Sequence, residues 1–110
     1  MVYEIIWSVK ARKDLRSLYE YYSEKNRNSA NRMVSEIGIR TQQLTEQPEM
    51  AALEPQLINY VKEFRSLVVL KGNYKIIYYF ENNIIHISRI WDWTENSMPR
   101  GNLLQFLLKW

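Results

Sequence analysis

Four side chains in this sequence have types and spacing suited to chemistry on a phosphate: Lys75, Tyr79, His86 and Arg65. His86 is the only imidazole, Tyr79 a phenol, and Lys75 and Arg65 cations, so together they could orient a phosphodiester and move one proton. Their proximity depends on strand pairing. If Asn82-Asn83 is a two-residue hairpin loop, Glu81 faces Ile84 and Tyr79 falls directly opposite His86, with Lys75 on the same face. Arg65 joins that face if the preceding loop spans three residues, Lys71 to Asn73, and points to the other side if it spans two. Polar side chains on a half-exposed sheet face are ordinary, and a strand histidine more often hydrogen-bonds than catalyses.

The elements that must position these groups follow from periodicity. Val2–Trp7 is β-branched and aromatic, with Tyr3, Ile5 and Trp7 on one face, and stops at Ser8, a helix N-cap residue. From Val9 to about Glu24, Ala11, Leu15, Leu18 and Tyr22 recur at helical spacing. Lys25 to Ser29 is turn-like, with Ser29 placed to cap a second helix whose stripe is Ala30, Val34, Ile37, Thr41 and Leu44. Pro48 ends it. Residues 48–62 read as an irregular connection. Period two then takes over in Glu63–Leu70, Tyr74–Phe80 and Ile84–Trp91, separated by Gly72-Asn73 and Asn82-Asn83. The expected fold is α+β: an N-terminal strand, an antiparallel helical hairpin, then a three-stranded antiparallel meander with the helices on one face. That face is assigned Tyr74, Ile76, Tyr78, Phe80, Ile85, Ile87, Arg89 and Trp91. The apolar tail Leu103–Trp110 either closes the core or pairs with a partner.

At 110 residues one domain, 1–110, is expected. No stretch approaches a membrane span and no secretory pattern opens the chain, so a cytoplasmic protein without membrane contact is expected. With no cysteine and one histidine, thiolate chemistry and Cys- or His-rich metal sites are excluded, and neither metal nor cofactor is expected. The 15 basic and 12 acidic residues give a formal net charge of +3 spread over both halves, unlike a polycationic arm. Nucleotide-binding, dinucleotide-binding, zinc-protease and serine-hydrolase motifs are missing.

Ile5-Ile6-Trp7-Ser8-Val9-Lys10-Ala11-Arg12-Lys13-Asp14-Leu15, Ala30, Ile37, Glu54-Pro55-Gln56-Leu57, Phe64-Arg65-Ser66-Leu67-Val68-Val69, Gly72-Asn73-Tyr74-Lys75-Ile76-Ile77-Tyr78 and Ile87-Ser88-Arg89-Ile90-Trp91-Asp92 stand in an order that resembles the RelE/ParE toxin superfamily. The resemblance runs nearly to Pro99. It implies the toxin of a bacterial type II toxin–antitoxin module, a plasmid stabilisation protein neutralised by a small, acidic, partly disordered antitoxin, with which it forms a hetero-oligomer.

The superfamily divides by mechanism. RelE-like members cleave mRNA on the ribosome with basic residues; ParE-like members inhibit DNA gyrase. Lys75 matches the basic position of the family's Tyr-Arg-Ile/Leu-x-Tyr motif, while Thr94-Glu95-Asn96-Ser97-Met98-Pro99 replaces the Arg-Gln-Asn-Pro turn of many relatives. The loss of that arginine and the modest charge place the ParE-like mode ahead. The alternatives are an endoribonuclease using Lys75, Arg65, Tyr79 and His86, and a degenerate module that only binds antitoxin. Arg89, Asp92, Glu95, Leu104 and Trp110 are the candidates for target or antitoxin contact.

Overall fold

The computed structural model describes residues 2–93. Strand β1 (Glu4–Trp7) leads through Ser8 into helix α1 (Val9–Lys25). Ser8 is extended and its Oγ accepts from Ala11 N, the N-cap geometry that satisfies an otherwise orphaned helix donor. One residue, Asn26, joins α1 to α2 (Arg27–Leu44): its backbone N–H donates to Tyr22 O, and its Oδ1 accepts from Asn28 N and Ser29 N. The cap is therefore Asn26 rather than Ser29. Ala11 and Leu18 of α1 are buried, with Leu15 and Tyr22 packed beside them, and α2 buries Ala30, Met33, Ile37, Thr41 and Leu44. Met33 takes the place expected of Val34, which is 38 % exposed; both positions fit the helical period, and packing against the sheet selects Met33.

The sheet has five strands in the order β1-β5-β4-β3-β2, adding β2 (Ala52–Leu53), β3 (Arg65–Val69), β4 (Tyr74–Glu81) and β5 (Ile84–Asp92). The meander β3-β4-β5 is antiparallel as expected, and β1 pairs with β5 in parallel. Within the segment read as irregular lie β2, paired antiparallel with β3, and a 3-10 turn at Pro55–Leu57. A two-residue strand carries too little alternation to be seen in sequence.

Asn82 and Asn83 both have positive φ, 53° and 64°, and close the β4-β5 hairpin with Glu81 opposite Ile84. That register runs to Tyr78 opposite Ile87 and then slips, so that Ile77 faces Arg89. The extra residue in β5 is Ser88. Beyond this bulge the alternation is inverted. Ile90, opposite Ile76, joins the core under the helices, and Trp91, opposite Lys75, packs with Ile77 on the reverse face. The expected placement of Trp91 beneath the helices is thus corrected, because a period-two reading loses phase at an inserted residue.

Leu70 to Asn73, four residues, separate β3 from β4, one more than the longer of the two loops considered and two more than the shorter, and Val69 pairs with Tyr74. Leu70, Lys71 and Gly72 have φ of 55°, 60° and 87°, so the loop is built from left-handed residues, of which only glycine adopts the region freely. Glu36 of α2 holds it through an Oε2 that accepts from Leu70 N at 2.7 Å.

Two apolar layers result. The larger lies between the hairpin and one face of the sheet, around Met33, Ile37, Leu67, Ile76, Tyr78, Ile85 and Ile87. On the reverse face, Leu57 and Phe64 from the segment between β2 and β3 cover Ile77 and Trp91, with Tyr60 and Tyr79 alongside. Much of the face expected to be open is therefore a second core.

Candidate functional site

The reverse face of the sheet carries three of the four chemistry-bearing residues and brings two of them, Tyr79 and His86, into contact. Tyr79 and His86 are directly paired across β4 and β5, and their rings stack at 4.6 Å between centroids with 12° between planes. Phe64 meets Tyr79 edge-on at 5.4 Å. Lys62 lies over the same ring at 5.2 Å and pairs with Glu81 at 2.7 Å. That hydrogen bond stabilises both charged forms, raising the Lys62 pKa and lowering that of Glu81, although both groups are well exposed.

Lys75 is on this face but not at its surface. Its Nζ donates to Glu54 Oε1 at 2.9 Å, and the ring of Trp93 lies 3.5 Å from it. The Lys75 side chain is 11 % exposed and that of Glu54 fully buried. Glu54 also accepts from Gln56 N through Oε2, which caps the 3-10 turn, and its own N–H donates to Phe64 O. The lysine charge is thus neutralised and roofed over, where an open cation beside Tyr79 had been expected.

Arg65 stands opposite Tyr78, on the helix-side face, so the sheet separates it from Lys75, Tyr79 and His86. Its Nη1 donates to Ala51 O at 2.7 Å and its guanidinium lies 5.9 Å from the Phe80 ring. The four-residue loop decides this.

Arg89 makes a bidentate ion pair with Asp14 of α1, Nε to Oδ2 at 2.8 Å and Nη2 to Oδ1 at 3.2 Å, and Asp14 Oδ2 also accepts from Ile90 N at 2.9 Å. The carboxylate that meets Arg89 thus comes from α1, 75 positions away in the chain. Asp92 is exposed and lines a groove of roughly 480 Å³ between α1 and β5, with Asp14, Tyr21, Tyr74 and Arg89. Burial, and then the Asp92 carboxylate, push the Tyr74 phenol up to about 12, so it stays protonated at neutral pH. Glu95, Leu104 and Trp110 lie outside the described residues.

Glu54, Lys62, Phe64, Trp93 and Asp14 complete these arrangements and were not singled out in sequence. Each meets its partner through a tertiary contact, such as Glu54 with Lys75 across 21 positions, that no local spacing encodes. Among the described residues, no cluster of His, Cys, Asp or Glu is grouped to hold a metal ion, and no helix is long and apolar enough to cross a membrane.

A helical hairpin on one face of a mixed five-stranded sheet, with β1 parallel to β5, defines a small α+β protein, and among the described residues of the reverse face Lys75 is paired with Glu54 and Lys62 with Glu81. A family model described as the ParE toxin of type II toxin-antitoxin system, parDE, matches residues 5–96, and the chain belongs to that family. It is the toxin of a type II toxin–antitoxin module, a member of the RelE/ParE superfamily, and its partner is a cognate antitoxin. A solved structure, the chromosomal ParDE TA system from P. aeruginosa, shares the fold with a TM-score of 0.68 and 23 % identity, over 86 % of this chain and 98 % of that one. No curated protein sequence is significantly similar to the chain.

Proposed function

We propose that this toxin, a single domain over residues 1–110 acting in the cytoplasm, arrests growth by binding DNA gyrase and does not cut RNA. The observation that carries the reading is the state of Lys75. Phosphoryl-transfer catalysis without a metal needs unpaired cations aimed at the charge that develops on phosphate. Here Lys75 is bound to Glu54 and covered by Trp93, and Arg65 is on the other side of the sheet. His86 and Tyr79 stack on one another, and the cation over the Tyr79 ring, Lys62, is itself paired to Glu81. The ParE family as a whole points to gyrase, and the small acidic antitoxin neutralises the toxin by covering it.

The test is induced expression with and without the antitoxin, followed by mapping of mRNA ends and a supercoiling assay on purified gyrase. The expected result is growth arrest, loss of supercoiling and unchanged mRNA ends. Codon-positioned cuts that appear on induction of the intact toxin and are suppressed by the antitoxin establish the endoribonuclease instead. Absence of any arrest establishes the degenerate antitoxin-binding module.

A further inference from the structure

The charge on α1 runs against what helix stability favours. A helix gains from acids in its first turn and cations in its last. The first half of α1 instead carries Lys10, Arg12, Lys13 and Arg16, and acids enter the exposed surface only later, at Glu20 and Glu24. Asp14, the one acid in that half, is occupied by Arg89 and the Ile90 N–H on the β5 side.

Arg12, Lys13 and Arg16 are all exposed and lie at spacings of one, three and four, on one face of the helix. Among the described residues, none of the three has a carboxylate within 4.0 Å, and Glu20, one turn beyond Arg16, makes no ion pair with it. Removing these three from the 15 basic residues leaves twelve, equal to the twelve acidic ones, so the patch is as large as the formal excess of the whole chain. The even count per half of the sequence conceals this local grouping.

We propose that the α1 face formed by Arg12, Lys13 and Arg16 is a contact surface for the phosphate backbone of duplex DNA. Two of the three cations are arginines, whose planar fork matches phosphate oxygens in pairs. Arg12 and Arg16 are separated by about 6 Å along the helix axis, enough to span two successive backbone phosphates at about 3.4 Å of rise each. Tyr19, one turn beyond Arg16, is the exposed aromatic residue beside this face, with its hydroxyl turned to Asn31 of α2, and one ring is not the series of stacking platforms on which successive bases of a single strand lie. Val9, one turn earlier, is the one exposed apolar neighbour in the first turn, whereas an acidic peptide partner calls for an apolar seam beside the charge. The surface does not depend on gyrase being the target.

The experiment measures binding of the purified full chain to a short random-sequence DNA duplex by fluorescence anisotropy as salt is varied. Three phosphate contacts give a slope of log K against log salt of about −2.7, or about 40-fold weaker binding from 50 to 200 mM. Arg12→Gln, Lys13→Gln and Arg16→Gln each reduce that slope by about 0.9. Arg27→Gln, an exposed cation at the start of α2, removes the same charge and leaves the slope unchanged. Circular dichroism confirms that each variant is folded. Equal effects from Arg27→Gln, or no salt-dependent duplex binding, overturn the proposal. Binding of a polyglutamate peptide but not of the duplex overturns it in favour of an acidic protein partner. Growth arrest and supercoiling are separate readouts, so failure here is distinct from failure of the toxin reading.

Discussion

Lys75 and Glu54 hold one another at 2.9 Å beneath the ring of Trp93, joining the second strand of the meander to the start of the 3-10 turn. Removing one partner leaves a buried charge alone. Glu54→Ala is expected to destabilise the fold by about 3–5 kcal/mol, measured by urea unfolding. The double variant Glu54→Leu, Lys75→Met removes both charges and recovers most of that loss, retaining a deficit of about 1 kcal/mol for the Gln56 N–H that Glu54 had accepted. A double variant as unstable as the single one contradicts this account.

Asp14 serves α1 and β5 at once. Asp14→Ala removes two charge-assisted bonds to Arg89 and the acceptor of Ile90 N, beside the bulge. A loss of about 2–3 kcal/mol is expected, with hydrogen exchange at Ile90 accelerating ahead of that at Ile85. Asp14→Asn keeps one acceptor and falls between. Uniform acceleration along β5 would show that the clasp is not local.

Alkaline pH weakens the fold through its buried phenols. Tyr78 is raised from 10.0 to about 12, first by burial, and its hydroxyl donates to Pro48 O at 2.7 Å. Above pH 10 the unfolded chain loses this proton while the folded chain keeps it, so the unfolded state is favoured progressively until the folded group also ionises. Stability is full below about 10 and declines between 10 and 12. Tyr78→Phe costs about 1 kcal/mol at neutral pH and flattens the alkaline decline, both read from unfolding curves across that range. An unchanged slope excludes Tyr78 as its source.

The loop between β3 and β4 holds Lys71 at φ 60° with its side chain exposed. Lys71→Gly is expected to stabilise the protein by up to about 1 kcal/mol by relieving a left-handed non-glycine residue. Glu36→Ala, which removes the acceptor of Leu70 N, destabilises it by about 1–3 kcal/mol. Thermal melting of the two variants therefore shifts in opposite directions.

What sequence could reveal here was set by the range of the interaction. The Ala11, Leu15, Leu18, Tyr22 stripe, the Ser8 cap and the Asn82-Asn83 turn are local, and the structure holds each as read. So is the pairing of Tyr79 with His86, because the tight turn between them counts it out. The face of Trp91 depends on one inserted residue at Ser88, which alternation cannot register. The side of Arg65 depends on a loop whose left-handed residues include Leu70, a type that gives no turn signal. The burial of Lys75 depends on Glu54, which reaches it only once β2 and the 3-10 turn have folded over the sheet.

The parallel ladder between Glu4–Trp7 and Ile84–Ile87 sets a timetable. Glu4 leaves the ribosome 80 positions before its partner Ile84. At bacterial synthesis speeds of about 5–20 residues per second, the first strand waits roughly 4–16 s for the last. The hairpin of α1 and α2 forms from neighbouring residues in that interval, but β1 joins the sheet only once β5 has been made. A newborn chain therefore passes several seconds with its opening strand unpaired, and that strand's ladder to β5 forms last.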